Sequence, residues 1–341
     1  MKEEKKRMEE LQKQLDPQVS AFYGDRLNTV PDQMPSVEES RRIADLSFHD
    51  RVHREEIGTW EDREIVCADR RIPVRIFEPA GGEEKEKKPA VLYFHGGGFV
   101  IHNVRSHDDL CRRIANEGGC TVISVEYRLA PEHPWPACME DGIEALDWVF
   151  RRADELGVDR NRIAVAGDSA GATSSAVVSL INRDRRRRAK SEGREENAFP
   201  EIALQILCYG SFGSVAEDGT DLSRDSISIR QFGNGGFVLP VRSMEWFMEQ
   251  YVPAGTDEND PYLNPARAKD LTDLPPALCL TAQCDPLRDD GEAFAKALSQ
   301  AGNQVTLHRM KGLMHGFLLY WYRFDRAKEA IGMMGEAIRS L

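Results

Sequence analysis

"RIAVAGDSAGATSSA" (residues 162–176) is a short apolar run that breaks into Gly167, Asp168, Ser169, Ala170 and Gly171, then resumes in small, helix-compatible residues. A tight strand-to-helix turn would use glycine to relieve backbone strain. A serine at the end of a buried strand is also where a nucleophile can be held out beyond a sheet. The rest of the chain has to decide between the two.

Around this stretch lie further short apolar runs: "PAVLYF" (89–94), "CTVISV" (120–125), "EIALQIL" (201–207), "PALCLTA" (276–282) and "QVTLHRM" (304–310). Most are rich in Val, Ile and Leu, as strands covered on both faces require. Helical patterns separate several of them. In 138–157, Ile143, Leu146, Phe150 and Ala153 step by three and four and Gly157 stops the run; in 289–302, Phe294 and Leu298 share a face and Gly302 closes it. Strands alternating with such helices predict an α/β fold with a mostly parallel, helix-covered sheet. "REIVCADRRIPVRIFEP" (63–79) reads as two strands about a polar turn, with Ile72, Val74 and Ile76 alternating against Pro73, Arg75 and Phe77.

The opening fifty or so residues read as helical and mobile, with Met8, Leu11 and Leu15 on one stripe and prolines at 17, 31 and 35 as punctuation. "GGEEKEKK" (81–88) reads as a charged linker. Residues 211–262 break the strand–helix rhythm and carry Phe232, Phe237, Trp246, Phe247 and Tyr251, as a lid beyond a strand end would.

The chain has 341 residues, 41% hydrophobic content and a net charge of −12, the profile of a globular protein for which nucleic acid is a poor partner. The basic run "RDRRRRAK" (183–190) reads as a solvated helix end and loop. No apolar stretch is long enough to span a membrane, and "MKEEKKRMEELQKQL" has no signal-like core, which predicts a cytoplasmic protein. Seven cysteines without metal-like spacing predict reduced thiols, mostly buried.

If Ser169 is a nucleophile, it needs a base and a group to orient that base. With chain order Ser, acid, His, only His308 and His315 follow it. His308 lies inside a strand pattern, whereas His315 lies just past it in "KGLMHGF", at the carboxyl edge. Asp168 leaves the strand on the opposite side from Ser169 and is a scaffold neighbour. In "TAQCDPLRDDGEAF" (281–294), Asp285 stands immediately beyond the strand, with Asp289 its main rival. Asp289, Asp290 and Glu292 open the next helix, where acids favour the macrodipole. An oxyanion would be met by the amides of Gly97 and Gly98 in "HGGGF" (95–99) and by that of Ala170. The triple glycine lacks the lysine a Walker-type phosphate loop would need.

With "HGGGF", "GDSAG", "DPLRD" and "HGF" following successive strands, and with "EYRLAPEHPWPA" (126–137) between them, the chain resembles the hormone-sensitive-lipase-like family of α/β-hydrolase esterases over roughly residues 60–341. The resemblance implies an α/β-hydrolase fold and hydrolysis of short-chain carboxylic esters without a cofactor or metal. Ser169 would be the nucleophile, His315 the base, Asp285 its orienter, and Gly97, Gly98 and Ala170 the oxyanion donors. It implies a catalytic domain of residues 56–210 and 263–341 under a mainly helical cap of 1–55 and 211–262. Sheet-edge dimers occur among relatives, so a homodimer stays open. Phe99, His102, Tyr209 and Phe212 are expected near the substrate. His95 is expected to organise the loop. The chain departs from many relatives in carrying His102 and Asn103 where a glycine is common, and Glu126 where aspartate is. An amide or sugar-acetate hydrolase with the same triad is the alternative; a non-catalytic binding protein would be expected to have lost a triad member.

Overall fold

The computed structural model describes residues 2–24, 27, 34–49, 53–81, 87–194, 199–234 and 237–341. The linker expected at 81–88 falls mainly outside these residues, as do Pro31 and part of the polar stretch after the basic run. Three helices open the chain, α1 (Lys2–Gln12), α2 (Pro17–Tyr23) and α3 (Val37–His49). Strands β1 (Thr59–Val66), β2 (Arg71–Glu78) and β3 (Lys88–Phe94) follow, then α4 (Asp108–Gly118), β4 (Thr121–Val125), α5 (Ala137–Arg151), β5 (Val158–Asp168), α6 (Ala170–Ser191) and β6 (Ile202–Cys208). Next come α7 (Ile227–Phe232), α8 (Val241–Tyr251), β7 (Ala277–Cys284), α9 (Arg288–Gln300), β8 (Val305–Met314) and α10 (Asp325–Arg339).

The strands form one sheet in the order β1-β2-β4-β3-β5-β6-β7-β8. Pairing is antiparallel for β1–β2 and β2–β4 and parallel across the rest. The fold is therefore the expected α/β architecture. Alternation along β3 shows how it is filled: Val91 and Tyr93 face Leu110 and Ile114 of α4 and Ile331 of α10. Leu92 and Phe94 face the other way, in a cluster with Leu146 of α5 and Val177 of α6. Both faces of the central strands are dry, so their sequences are continuous apolar runs rather than alternating ones. Because β3 and β5–β8 run parallel, their carboxyl ends share one edge of the sheet, and that edge carries Ser169, Asp285, His315 and the glycine loop.

Three sequence expectations are corrected. Arg75 and Phe77, assigned to the polar face of β2, are both buried. Phe77 packs under α4, and Arg75 bonds Asp62 at 2.7 Å and Asp108 at 3.0 Å. The buried stripe of α5 runs through Cys138, Asp141, Gly142, Ala145, Leu146 and Val149, leaving Ile143 and Phe150 half-buried on its shoulder. The basic run 183–190 stays within α6 rather than forming a loop; Arg183 is buried and donates to the carbonyls of Asp270 and Thr272, and Arg187 pairs with Asp270 and Asp273.

The acids that open α9 do more than complement its dipole. Buried Asp290 accepts the backbone amides of Phe212 (2.8 Å) and Ser214 (2.8 Å) and the Ser211 hydroxyl (2.9 Å). Asp289 accepts the amide of Ser228 at 2.8 Å, at the start of α7. Burial pushes the Asp290 carboxyl up, and its hydrogen bonds from Ser214 and Phe212 oppose that rise. Residues 211–214 and the start of α7, both in the first part of the 211–262 stretch, are thus fastened to the turn that follows Asp285.

Candidate active site

Ser169 stands between β5 and α6 with φ 53° and ψ −123°. A side chain pays strain in this region, and the position is held because the surrounding chain over-determines it. Its amide donates to Cys208 O (2.8 Å) on β6, and its carbonyl accepts the Ala172 amide (2.9 Å) as α6 begins. The glycines make the turn geometrically feasible. A Cβ on Gly171 would lie 1.9 Å from the Phe94 carbonyl oxygen, and one on Gly167 would lie 2.3 Å from the backbone of Gly171.

From this turn the Ser169 Oγ reaches His315 Nε2 at 2.8 Å, and His315 Nδ1 reaches Asp285 Oδ2 at 2.9 Å. The other Asp285 oxygen accepts the Leu287 amide at 2.9 Å, which fixes the carboxylate. Asp285 is fully buried and His315 nearly so. His315 follows β8 directly, whereas His308 lies within that strand opposite Leu280. Such a line of hydrogen bonds lets an imidazole take a hydroxyl proton while a buried carboxylate holds the imidazolium.

The loop after β3 is a tight turn in which Val100 and Ile101 both donate to the Gly97 carbonyl at 3.0 Å. Gly97 and Gly98 have φ 118° and 59°, and a Cβ on Gly97 would lie 2.1 Å from the Ile101 oxygen. Among the described residues their amides donate to no group of the chain. Ala170 is the first residue of α6, where an amide has no partner inside the helix. A helix packs over this turn: a Cβ on Gly98 would lie 2.3 Å from the Phe247 ring of α8.

Beneath the turn, Asp168 does what composition could not reveal. Its carboxylate accepts the Tyr93 hydroxyl (2.8 Å), the Gly96 amide (3.1 Å) and His107 Nε2 (3.1 Å). Burial alone would push this carboxyl up; His107 and the Tyr93 hydroxyl overcome it and hold the group at about 2. His107 and Tyr93 carried no signal in the sequence reading, although "SHDD" lies only a few residues past the glycines. His95 stacks on Tyr127 with ring centroids 4.2 Å apart, its Nδ1 lies 2.7 Å from the Gly96 carbonyl oxygen, and its own carbonyl accepts the Tyr127 hydroxyl (2.7 Å).

Burial first and His107 second push His95 down to about 3, from an ordinary value of about 6.5. Between those values the unfolded chain takes up a proton that the folded chain refuses. Stability therefore rises with pH through this window and is lost on acidification, by up to ~1.4 kcal/mol per pH unit. The raised carboxyls of Glu126 and Asp290 act in the opposite sense. Asp168 contributes only below its ordinary range. The variant His95→Asn should therefore flatten the fall in urea midpoint from pH 6 to pH 4 by about one proton's worth. A slope equal to wild type would contradict this account.

The four residues expected near substrate divide. Phe99, at φ 65°, stacks on Tyr251 at the end of α8 with centroids 3.9 Å apart. His102, at φ 71°, lies against Gly97 and lines a cavity of about 330 Å³ with Asn103, Glu126, Leu129 and Arg41. Tyr209 is buried below the imidazole, its ring centroid 5.1 Å from that of His315 and its hydroxyl 3.5 Å from Asp168. Phe212 is 2% exposed and stacks on Phe294 of α9 at 4.5 Å, against the core. Glu126 accepts the Val104 amide at 2.8 Å, a use the longer side chain makes available. Among the described residues no cluster of three His, Cys, Asp or Glu could hold a metal ion, and no helix is long and apolar enough to cross a membrane. All seven cysteines are free, and only Cys67 is not buried.

Residues 91–319 match the family model described as alpha/beta hydrolase fold. The chain is 42% identical over 249 residues to carboxylic ester hydrolase LipN of Mycobacterium tuberculosis, a match covering 72% of this chain and 61% of that protein. It is 35% identical over 268 residues to ethyl acetate hydrolase of Pseudomonas putida, covering 79% and 78% respectively. A solved esterase of Pyrobaculum calidifontis superposes with a TM-score of 0.80 at 34% identity, over 96% of this chain and 98% of that one. The chain therefore belongs to the hormone-sensitive-lipase-like family of α/β-hydrolase enzymes, the carboxylesterases.

Proposed function

We propose that this chain is a serine esterase that cleaves short-chain acyl esters, acetyl to about octanoyl, through an acyl-enzyme on Ser169. The observation that carries the reading is the unbroken line from Ser169 Oγ through His315 to Asp285, with hydrogen bonds of 2.8 and 2.9 Å. His315 Nε2 takes the hydroxyl proton as Oγ attacks the ester carbonyl. The oxyanion that forms is met by the amides of Gly97, Gly98 and Ala170. Asp285 holds the imidazolium in place. Collapse breaks the bond to the alkoxy oxygen, which leaves as alcohol with the proton from His315. Water, deprotonated by the same imidazole, then releases the acid and restores Ser169.

Residues 1–55 and 211–262 act in this reading as a cap over the carboxyl edge. The ring of Phe247 over Gly98 and the contact of Phe99 with Tyr251 favour compact acyl groups over long ones. A panel of 4-nitrophenyl esters from acetate to palmitate, beside acetylated sugars and acyl anilides, tests this. Turnover should peak at or below octanoate, and activity on anilides with none on any ester would sink the reading.

A further inference from the structure

We propose that Arg41 is a positioning residue that couples docking of α3 to the shape of the glycine loop. The proposal rests on the reading of Gly97 and Gly98 as oxyanion donors. Arg41 sits on α3, more than a hundred residues before the serine, yet its guanidinium is spread over two backbone stretches beside the site. Nε donates to the Val100 carbonyl at 2.8 Å and Nη2 to the Ala130 carbonyl at 2.9 Å. The same group grips both oxygens of Glu132, at 2.8 and 2.7 Å.

The two carbonyls belong to residues that already shape the turn. Val100 donates to the Gly97 oxygen (3.0 Å), and Ala130 donates to the Phe99 oxygen (2.9 Å). One planar fork therefore closes the circuit Gly97–Val100–Arg41–Ala130–Phe99 from outside. A flexible ammonium could not satisfy both carbonyls and a bidentate carboxylate at once. A second tie, Asn103 Nδ2 to Asp45 Oδ1 at 2.9 Å, joins α3 to the same loop one turn further on. Glu132 answers the guanidinium, whose hydrogen bonds hold its carboxyl down at about 2. As an exposed ion pair this contact would stabilise little. Its carbonyl bonds give it a different use, which is to hold amides in register with a developing charge.

Donors that must meet an oxyanion lose their effect with displacements of about 1 Å. Arg41→Ala should lower kcat on 4-nitrophenyl butyrate about tenfold and change KM by less than about twofold. Arg41→Lys should fall between the two. Glu132→Gln, which leaves both carbonyl bonds in place, should stay near wild type. Because Arg41 lines the 330 Å³ cavity, millimolar guanidinium should restore part of the activity of Arg41→Ala. A folded Arg41→Ala with wild-type kcat overturns the proposal. So does a loss shared equally by the Lys variant, tracking a lower Tm and unrelieved by guanidinium. If Arg41→Ala does not fold, Arg41→Gln, which keeps one amide donor, carries the same comparison. Failure of the esterase reading is seen separately, as activity that survives removal of the Ser169 hydroxyl.

Discussion

Ser169→Ala is expected to lower ester turnover by on the order of 10⁴-fold or more while leaving the fold intact. The expectation follows from what the hydroxyl touches. Among the described residues its only side-chain partner is His315 Nε2, at 2.8 Å, so removing it breaks no described bond between strands or helices. The backbone at φ 53° is as strained for alanine as for serine, and the amide still bonds Cys208. Thermal midpoints should therefore differ by no more than about a degree or two. The measurement is kcat on 4-nitrophenyl butyrate beside a melting curve; retained turnover would remove the central claim, since the serine bonded to His315 Nε2 is Ser169.

Gly171→Ala is expected to have the largest effect on stability of any single methyl addition near the site. The new Cβ would lie 1.9 Å from the Phe94 carbonyl oxygen and 2.9 Å from that of His95. Both are backbone atoms of the strand end that leads into the glycine loop, so no side-chain rotation relieves the clash. Either α6 moves off β3 or the loop shifts, at a cost on the order of 3 kcal/mol. Differential scanning should show a Tm lowered by several degrees, and any soluble enzyme should have reduced kcat because Ser169 rides on the displaced helix. An alanine variant as stable as wild type would mean that the close approach of α6 to β3 is not required.

Much of this site was legible because strand ends in a parallel sheet are close in space however far apart in sequence. "HGGG", Ser169, Asp285 and His315 each follow an apolar run, and the shared carboxyl edge brings them together. Less legible were contacts set by helix packing. A Cβ on Gly142 would lie 2.8 Å from Val178, so α5 approaches α6 closely at a small residue, and two of its larger apolar residues, Ile143 and Phe150, sit on the shoulder while Leu146 and Val149 are buried. A periodicity that weighs size as hydrophobicity picks the shoulder. Phe212 follows a strand end, and Asp290 turns its backbone toward α9, so its ring stacks on Phe294, a packing the sequence does not display. Asp168 was identified as a neighbour of the serine, yet its grip on Gly96, Tyr93 and His107 depends on side chains that converge only in three dimensions.

Two consecutive carboxylates, Asp289 and Asp290, hold the two feet of the loop between Ser214 and Ser228 within one helical turn. Everything between those feet can then vary in length and character without pulling on Asp285, because the load is taken up a few residues downstream of it. The loop between those anchors is expected to tolerate exchange, with natural seams at Ser214 and Ser226. Chimeras cut at those seams would exchange this loop while leaving Ser169, Asp285 and His315 in place.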